Sequence, residues 1–192
     1  MKYILGVLGV ILVAVIAIVF VTRPRGVDET PPTEQEQAVD LNDKAFEGTI
    51  AEYTEQGELV GENQRRAIRI KVSEKERRLE ILKGYNEAVI RAHTYPNTPA
   101  AYRNFLAALQ DLGFSEEDKD EDAKEDDRGA CPTGKTYIYE FKEFSQTVSR
   151  LWNSTCGSDG SNYGGKVSTT RQVFEMQIPE YDDLTKDVDL SP

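Results

Sequence analysis

The chain has 192 residues, of which 39% are hydrophobic and 30% are charged, and its formal net charge at pH 7 is −11. Such an acidic chain repels phosphate groups, which excludes nucleic acid and anionic lipid as ligands held by bulk electrostatics. The length allows one domain with a substantial core in addition to a targeting or anchoring segment.

The first predicted element is a hydrophobic helix. Residues 3–22 contain no charged side chain and are mostly Ile, Leu, Val, Ala, Gly and Phe. As a helix they would extend about 30 Å, which is the thickness of the hydrocarbon core of a bilayer. The run is longer than the hydrophobic region of a signal peptide and ends without a small-residue cleavage site. Residues 1–22 therefore predict an uncleaved transmembrane anchor, and cleavage as a secretory signal is the alternative.

A linker follows the anchor. Residues 23–44 contain Pro24, Pro31 and Pro32 and few apolar side chains. This composition cannot bury enough surface to offset the entropy lost on ordering, so a disordered linker is predicted. The domain proper is expected to occupy residues 45–192.

The two cysteines bear on the compartment. Cys131 and Cys156 both lie in polar, Gly-rich surroundings, which favours a disulfide bond formed in an oxidising space. Two reduced thiols in a cytosolic domain are the alternative. Positive charges flank the anchor on both sides, so they do not set its orientation. We therefore predict a single-pass protein of the cell membrane with its C-terminal domain outside the cytoplasm.

Strands dominate the first half of the domain. Alternating or β-rich residues predict strands over residues 46–53, 67–72, 78–82 and 88–94. A helix then begins at Thr98-Pro99, a capping hydroxyl followed by proline at the first helical position. Gly113 is expected to end this helix.

The second half contains loops and further strands. Residues 115–128 hold nine acidic side chains, which predicts a solvated, mobile loop. Two more strands are predicted over residues 137–141 and 147–152, and a helix is one interpretation of residues 168–177. The polar tail from Asp182 is expected to fray. This order of elements predicts an α+β fold, with an antiparallel sheet and about two helices in two layers.

Two segments resemble ligand-binding motifs. Residues 129–136 match the phosphate-binding pattern G-x-x-x-x-G-K-[ST], but an acidic loop precedes them and a strand follows, whereas the motif requires a following helix. A turn anchored by a disulfide is predicted instead, without nucleotide. Asp118, Asp120 and Asp122 begin like a calcium loop, but Ala123 and Gly129 replace the required Gly and Glu. We therefore expect no metal site and no cofactor.

No catalytic residue can be assigned. His93 is the only histidine, which excludes a zinc site with two histidine ligands, and there is no Gly-x-Ser-x-Gly elbow. Tyr163, Trp152 and His93 are the candidate binding residues. Core packing around the cysteines is the alternative for the two aromatic residues.

Several short segments resemble uncharacterised membrane-anchored proteins of reduced-genome, candidate-phylum bacteria. They are Arg78-Leu79-Glu80-Ile81 with Gly84-Tyr85, Cys131-Pro132-Thr133-Gly134, Trp152-Asn153-Ser154-Thr155-Cys156 and Gln177-Ile178-Pro179-Glu180-Tyr181. The resemblance implies an N-terminal anchor and an envelope-exposed domain. The order of strands and helices is also similar to that of emfourin-type bacterial protease-inhibitor domains, which implies an inhibitor function at the level of the fold alone.

Together these features predict a binding or interaction module held at the membrane by its N-terminal helix, with a protein partner at the cell envelope. A protease inhibitor is one alternative. A hydrolase acting on envelope material is another, and it requires a pocket that contains His93 or a carboxyl group with a perturbed pKa.

Overall fold

The computed structural model describes residues 39–120, 122–157 and 160–190. The predicted anchor at residues 1–22 and most of the predicted linker lie outside these ranges. Every helix within them is too short or too polar to cross a bilayer.

The described residues form an α+β domain around one antiparallel sheet. Its six strands are β1 (Thr49–Gln56), β2 (Arg66–Ser73), β3 (Glu76–Lys83), β4 (Ala88–Pro96), β5 (Thr136–Glu143) and β6 (Gln146–Ser154). Their spatial order is β4-β3-β2-β1-β5-β6. The first four strands make a meander, and the β5–β6 hairpin joins it along the free edge of β1. Tyr53 of β1 consequently pairs with Ile70 on one side and with Tyr139 on the other.

The predicted strands are all present, and most extend one to three residues beyond the alternating pattern. The exception is β1, which begins at Thr49 and not at residue 46. Gly48 has a φ of +97°, and Thr49 donates its backbone and side-chain hydrogen bonds back to the carbonyl of Phe46. The chain therefore turns before the strand starts, because glycine adopts this backbone conformation without strain.

Three α-helices occur in the described residues, where about two were expected: α1 (Pro99–Asp111), α2 (Val167–Glu175) and α3 (Tyr181–Thr185). The predicted ends of α1 are confirmed, because Thr98 Oγ1 accepts a hydrogen bond from the Ala101 amide and Gly113 has a φ of +73°. The ambiguous segment at residues 168–177 is largely α2.

The frayed C-terminal tail was a wrong prediction. Tyr181, Leu184 and Val188 pack against the core, and Leu190 is buried. The backbone carbonyl of Leu190 also accepts a hydrogen bond from the amide of Glu58. Acidic side chains separate these apolar residues along the chain. The tail is therefore polar on average, and its composition gave no indication that the apolar residues pack against the core.

Residues 39–44 of the predicted linker contact the domain. A 3₁₀ helix spans Asn42–Lys44, and the preceding Leu41 is fully buried. The Leu41 amide donates a hydrogen bond to Gln110 Oε1 of α1 at 2.7 Å. The ordered fold therefore begins before residue 45.

The acidic loop at residues 115–128 is exposed over most of its described side chains, as predicted, but it is held against the sheet. Glu117 forms an isolated bridge with Tyr163, and the carbonyl of Lys124 accepts a hydrogen bond from Trp152 Nε1 at 2.7 Å. Asp127 forms an ion pair with Arg150 at 2.6 Å. The contacts with Trp152 and Arg150 hold the loop against β6, and the bridge to Tyr163 holds it against the segment that follows this strand.

Candidate functional site

The two faces of the sheet have different surroundings, and we name them by these. On the helix-covered face, the strands and helices bury a cluster of aromatic rings: Tyr53, Tyr102, Phe105, Phe114, Tyr139 and Phe174. Side chains of successive strand residues point to opposite faces, so their neighbours form the open face. The open face carries mainly charged residues: Glu52, Arg69, Lys71, Glu80, Glu140, Lys142 and Arg150.

Ion pairs connect most of these charges. Arg69 Nε lies 3.0 Å from Glu52, and Lys142 Nζ lies 3.0 Å from both Glu52 and Glu140. Burial raises the pKa of Glu52, and the charges of Lys142 and Arg69 oppose this rise. Burial alone would also raise the pKa of Glu80, but its contacts with Arg78 and Lys71 outweigh burial and lower it. The open face is thus a network whose charges depend on one another.

A cleft with a volume of about 480 Å³ lies at one end of this face. Three strand residues line it: Gln56 at the end of β1, Thr136 at the start of β5 and Arg150 in the middle of β6. Its walls come from three loops: residues 57–65, the turn at residues 84–87, and the end of the acidic loop at residues 127–131. The volume falls within the range of sites for small molecules.

Hydrogen bonds join the three walls to one another. Tyr85 Oη donates to the carbonyl of Val60 at 2.8 Å, and the Tyr85 amide donates to the carboxylate of Glu62 at 3.2 Å. The amide of Leu59 donates to the carbonyl of Pro132 at 2.9 Å. The walls of the cleft are therefore connected by contacts within the protein itself.

The third wall is fixed by a disulfide bond. Cys131, which lines the cleft, is bonded to Cys156 just after β6, and their Cα atoms are 5.5 Å apart. The predicted bridge is confirmed. Closing a loop between residues 25 positions apart stabilises a fold by about 3 kcal/mol in the chain-entropy model. Residues 129–136, which match the phosphate-binding pattern, form a turn beside this bridge and continue into β5, so the helix that the pattern requires is replaced by a strand.

Arg65 is the distinctive charge of the cleft. The residue is only 8% exposed, its Nη2 donates to Gln56 Oε1 at 2.8 Å, and its guanidinium lies 4.5 Å from the centroid of the Tyr85 ring. Its Nη1 is buried and has no hydrogen-bond partner among the described residues. Arg65 makes no ion pair with any residue in the described ranges. Arg150 and Arg128, by contrast, pair with Asp127 and Asp126 at 2.6 and 2.7 Å.

Glu87 connects the cleft with the ion-pair network. It occupies the left-handed region with a φ of +53°, a conformation that costs a residue other than glycine about 1 kcal/mol. Its carboxylate accepts a hydrogen bond from Gln56 Nε2 at 3.3 Å and also binds Arg69. These partners hold the turn in place and neutralise its charge.

The three predicted binding residues are not brought together. Trp152 lies under the acidic loop and is 1% exposed, and Tyr163 is 3% exposed, stacks on Tyr139 at 3.9 Å and bonds to Thr170 at 2.8 Å. Both side chains are core residues and do not line the cleft. His93 is half-buried on the other edge of the sheet, in β4, directly across from Leu79 on the helix-covered face.

Four residues of the cleft were not predicted from the sequence: Arg65, Gln56, Tyr85 and Leu59. The available signal was a Gly-Tyr-Asn turn between two strands, where an aromatic side chain has no core to enter. Among the described residues, no group of three or more His, Cys, Asp and Glu side chains is placed to hold a metal ion. Comparisons with protein-family models, curated proteins and solved structures find no match for this chain.

Proposed function

We propose that this chain is a membrane-anchored binding module, exposed at the cell envelope, whose ligand occupies the cleft at the end of the open face. The observation that carries the proposal is Arg65, a buried cation in a cleft of ligand size that has no carboxylate partner in the part of the chain that the structure describes. A buried charge is expensive to leave unpaired, so such a group at a cleft is a candidate contact for a ligand.

The backbone of the cleft is preorganised. Hydrogen bonds join its walls, and the disulfide ties the third wall to the residues that follow β6, so a ligand has little backbone to order. Tyr85 and Leu59 are 50% and 45% exposed and offer apolar contact area. Polar groups of Gln56, Thr136 and Arg65 can orient a ligand within it.

The cellular setting rests on the sequence. Residues 3–22 have the length and composition of a membrane-spanning helix, and the Cys131–Cys156 bridge is compatible with an oxidising compartment. Digestion of intact and permeabilised cells with a protease tests this placement. We expect the domain to be cut in both, and protection in intact cells would contradict exposure. Protease inhibition and hydrolysis of envelope material stay predictions from the sequence.

A fragment screen by NMR tests the cleft. The isotope-labelled full-length chain, held in detergent micelles, is titrated with a library of small polar and aromatic compounds. We expect shift changes to concentrate on the amides of Leu59, Tyr85 and Thr136. The variant Tyr85→Ala should lose these responses, whereas Phe144→Ala, which removes a 71% exposed ring from the β5–β6 turn, should keep them. Responses confined to other surfaces would contradict the proposal.

A further inference from the structure

The charges that line the cleft do not cancel. Within the described ranges, three guanidinium groups (Arg65, Arg128 and Arg150) and two carboxylates (Glu87 and Asp127) border it. Asp127 neutralises Arg150, while Glu87 is bound by Arg69 outside the cleft and Arg128 is bound by Asp126. Within residues 39–120, 122–157 and 160–190, the charge of Arg65 is left without a counter-charge.

The geometry of Arg65 suits a carboxylate. Its Nη2 is held by Gln56 and its plane rests against Tyr85, so the guanidinium is fixed before a ligand arrives. A guanidinium presents parallel donors that match the two oxygens of a carboxylate, and such charge-assisted pairs are stronger than neutral hydrogen bonds. The unpartnered Nη1 supplies an unused donor. Because Nη1 is screened from solvent, binding must displace part of the rim, and the Tyr85 ring covers the guanidinium.

The surroundings limit the charge of the ligand. The whole chain has a net charge of −11, and Asp126, Asp127 and Glu87 stand at or beside the cleft. The arginines that pair with these carboxylates are already occupied, so Arg65 can neutralise one negative charge of a ligand and a second would stay unpaired. Leu59 and Tyr85 favour an apolar group on the same ligand.

We infer that the cleft binds a ligand with a single carboxylate joined to an apolar body, and that Arg65 receives the carboxylate. This inference rests on the proposed function, since it assigns a chemical class to the ligand of the same cleft. It distinguishes the site from one that binds phosphate esters, amines or neutral compounds.

Four probes separate these classes. Phenylacetate, phenylacetamide and phenethylamine share a phenyl group and differ in their polar group, and inorganic phosphate represents the phosphate esters. Each is titrated into the full-length chain in detergent micelles, and the amide signals of Leu59, Tyr85 and Thr136 are followed by NMR. We expect phenylacetate to bind at least about tenfold more tightly than the other three, as a charge-assisted hydrogen bond predicts. Equal binding of phenylacetamide, or tighter binding of phosphate, would overturn the inference.

Substitutions identify the residue. Arg65→Met should weaken phenylacetate binding at least about tenfold. Arg65→Lys keeps the charge but loses the parallel donors of the guanidinium, so it should weaken binding less. The control Arg103→Met removes an exposed charge from α1 on the other side of the sheet and should bind as the unsubstituted chain does. Thermal unfolding establishes that each variant is folded. The probe series on the unsubstituted chain decides the question even where Arg65→Met does not fold.

The two proposals fail differently. If the fragment screen maps to the cleft but phenylacetate has no advantage over its amide, the binding module stands and the carboxylate inference falls. If neither the fragments nor the probes perturb the cleft, both fall.

Discussion

The two faces of the sheet differ in the kind of interaction that organises them. The helix-covered face is held by aromatic packing, with Phe174 in contact with the rings of Tyr53, Phe105 and Phe114. The open face is held by ion pairs centred on Arg69 and Glu52. The free energy gained by burying apolar side chains is proportional to the buried area. Charged side chains, by contrast, stabilise the fold little unless they are paired with one another. The fold can therefore draw most of its stability from the helix-covered face, while the charges of the open face contribute through their mutual pairing.

Alkaline pH tests the helix-covered face most severely. Burial raises the pKa of Tyr102 and Tyr163 to about 12, and it also raises the pKa of Tyr53, Tyr139 and Tyr181. The folded state keeps these phenols neutral above the pH at which the unfolded chain ionises them. The contribution of these pKa shifts to the free energy of unfolding is therefore complete below about pH 10 and is lost as the pH rises from 10 towards 12. Each tyrosine lowers the free energy of unfolding by up to about 1.4 kcal/mol per pH unit in this range.

Tyrosinate absorbance and circular dichroism followed together against pH give the measurement. We expect ionisation of these tyrosines and loss of secondary structure to coincide. Ionisation of all of them in a chain that stays folded would show that the aromatic layer admits solvent.

Phe174→Ala should have the largest effect of any single substitution in this layer. The side chain is fully buried, and removing a phenyl group from a packed core costs about 4 kcal/mol through lost burial and the cavity that remains. Chemical unfolding measures the change. Met176→Ala is the control on the same segment, because Met176 is 79% exposed and its loss should change stability by less than about 0.5 kcal/mol. Equal effects would contradict the assignment of Phe174 to the core.

Arg69→Met tests the open face. The substitution leaves Glu52, Glu80 and Glu87 without the guanidinium that they share, and we expect a loss of about 2 kcal/mol, less than for a fully buried pair because the side chain is 15% exposed. Lys75→Met is the control, since Lys75 and Glu47 are each 72% exposed and solvent screens their ion pair, so its loss should leave the stability of the fold nearly unchanged. Similar unfolding free energies for the two variants would mean that the network contributes no more than an isolated surface pair.

The smallest expected effects come from two stacked tyrosines, whose hydroxyl groups should respond in opposite directions. Tyr163 shares a hydrogen bond with Thr170, so Tyr163→Phe should destabilise the fold by about 1 kcal/mol. Tyr139 Oη is buried and has no partner among the described residues, so Tyr139→Phe should be neutral or stabilising by about 1 kcal/mol. Unfolding experiments on both variants make this comparison, and a loss in Tyr139→Phe would reveal a partner such as a buried water.

The strands were predictable because each has a local signal. The alternation of Ile68, Ile70 and Val72 with Arg69 and Lys71 specifies a strand with one apolar face, and the cap at Thr98 specifies the start of α1. The order of the strands in the sheet had no such signal. The pairing of β1 with β5 joins residues far apart in the chain, and the packing of Leu190 depends on contacts that a local pattern does not contain.

The cleft was not predictable for the same reason. Gln56, Arg65 and Tyr85 come from the end of a strand and two separate loops, and each is unremarkable in its own segment. Trp152 and Tyr163 were candidates because they lie near the two cysteines in the sequence, but the acidic loop and α2 bury them, so the alternative of core packing holds. The disulfide was predictable, since two cysteines in loops allow a single pairing.

The position of β1 also bears on how the chain folds. Gln56 pairs with Ala67 across a short loop on one side and with Thr136, far along the chain, on the other. Loop closure is fast for near neighbours and slow for distant ones, so the four-strand meander should assemble early and wait for the β5–β6 hairpin to dock. Until docking, the free edge of β1 presents unpaired backbone groups to any other extended chain. Self-association would therefore begin from chains in which the hairpin has not yet docked. Formation of the Cys131–Cys156 disulfide before docking would close the hairpin and shorten the time for which the edge of β1 is exposed.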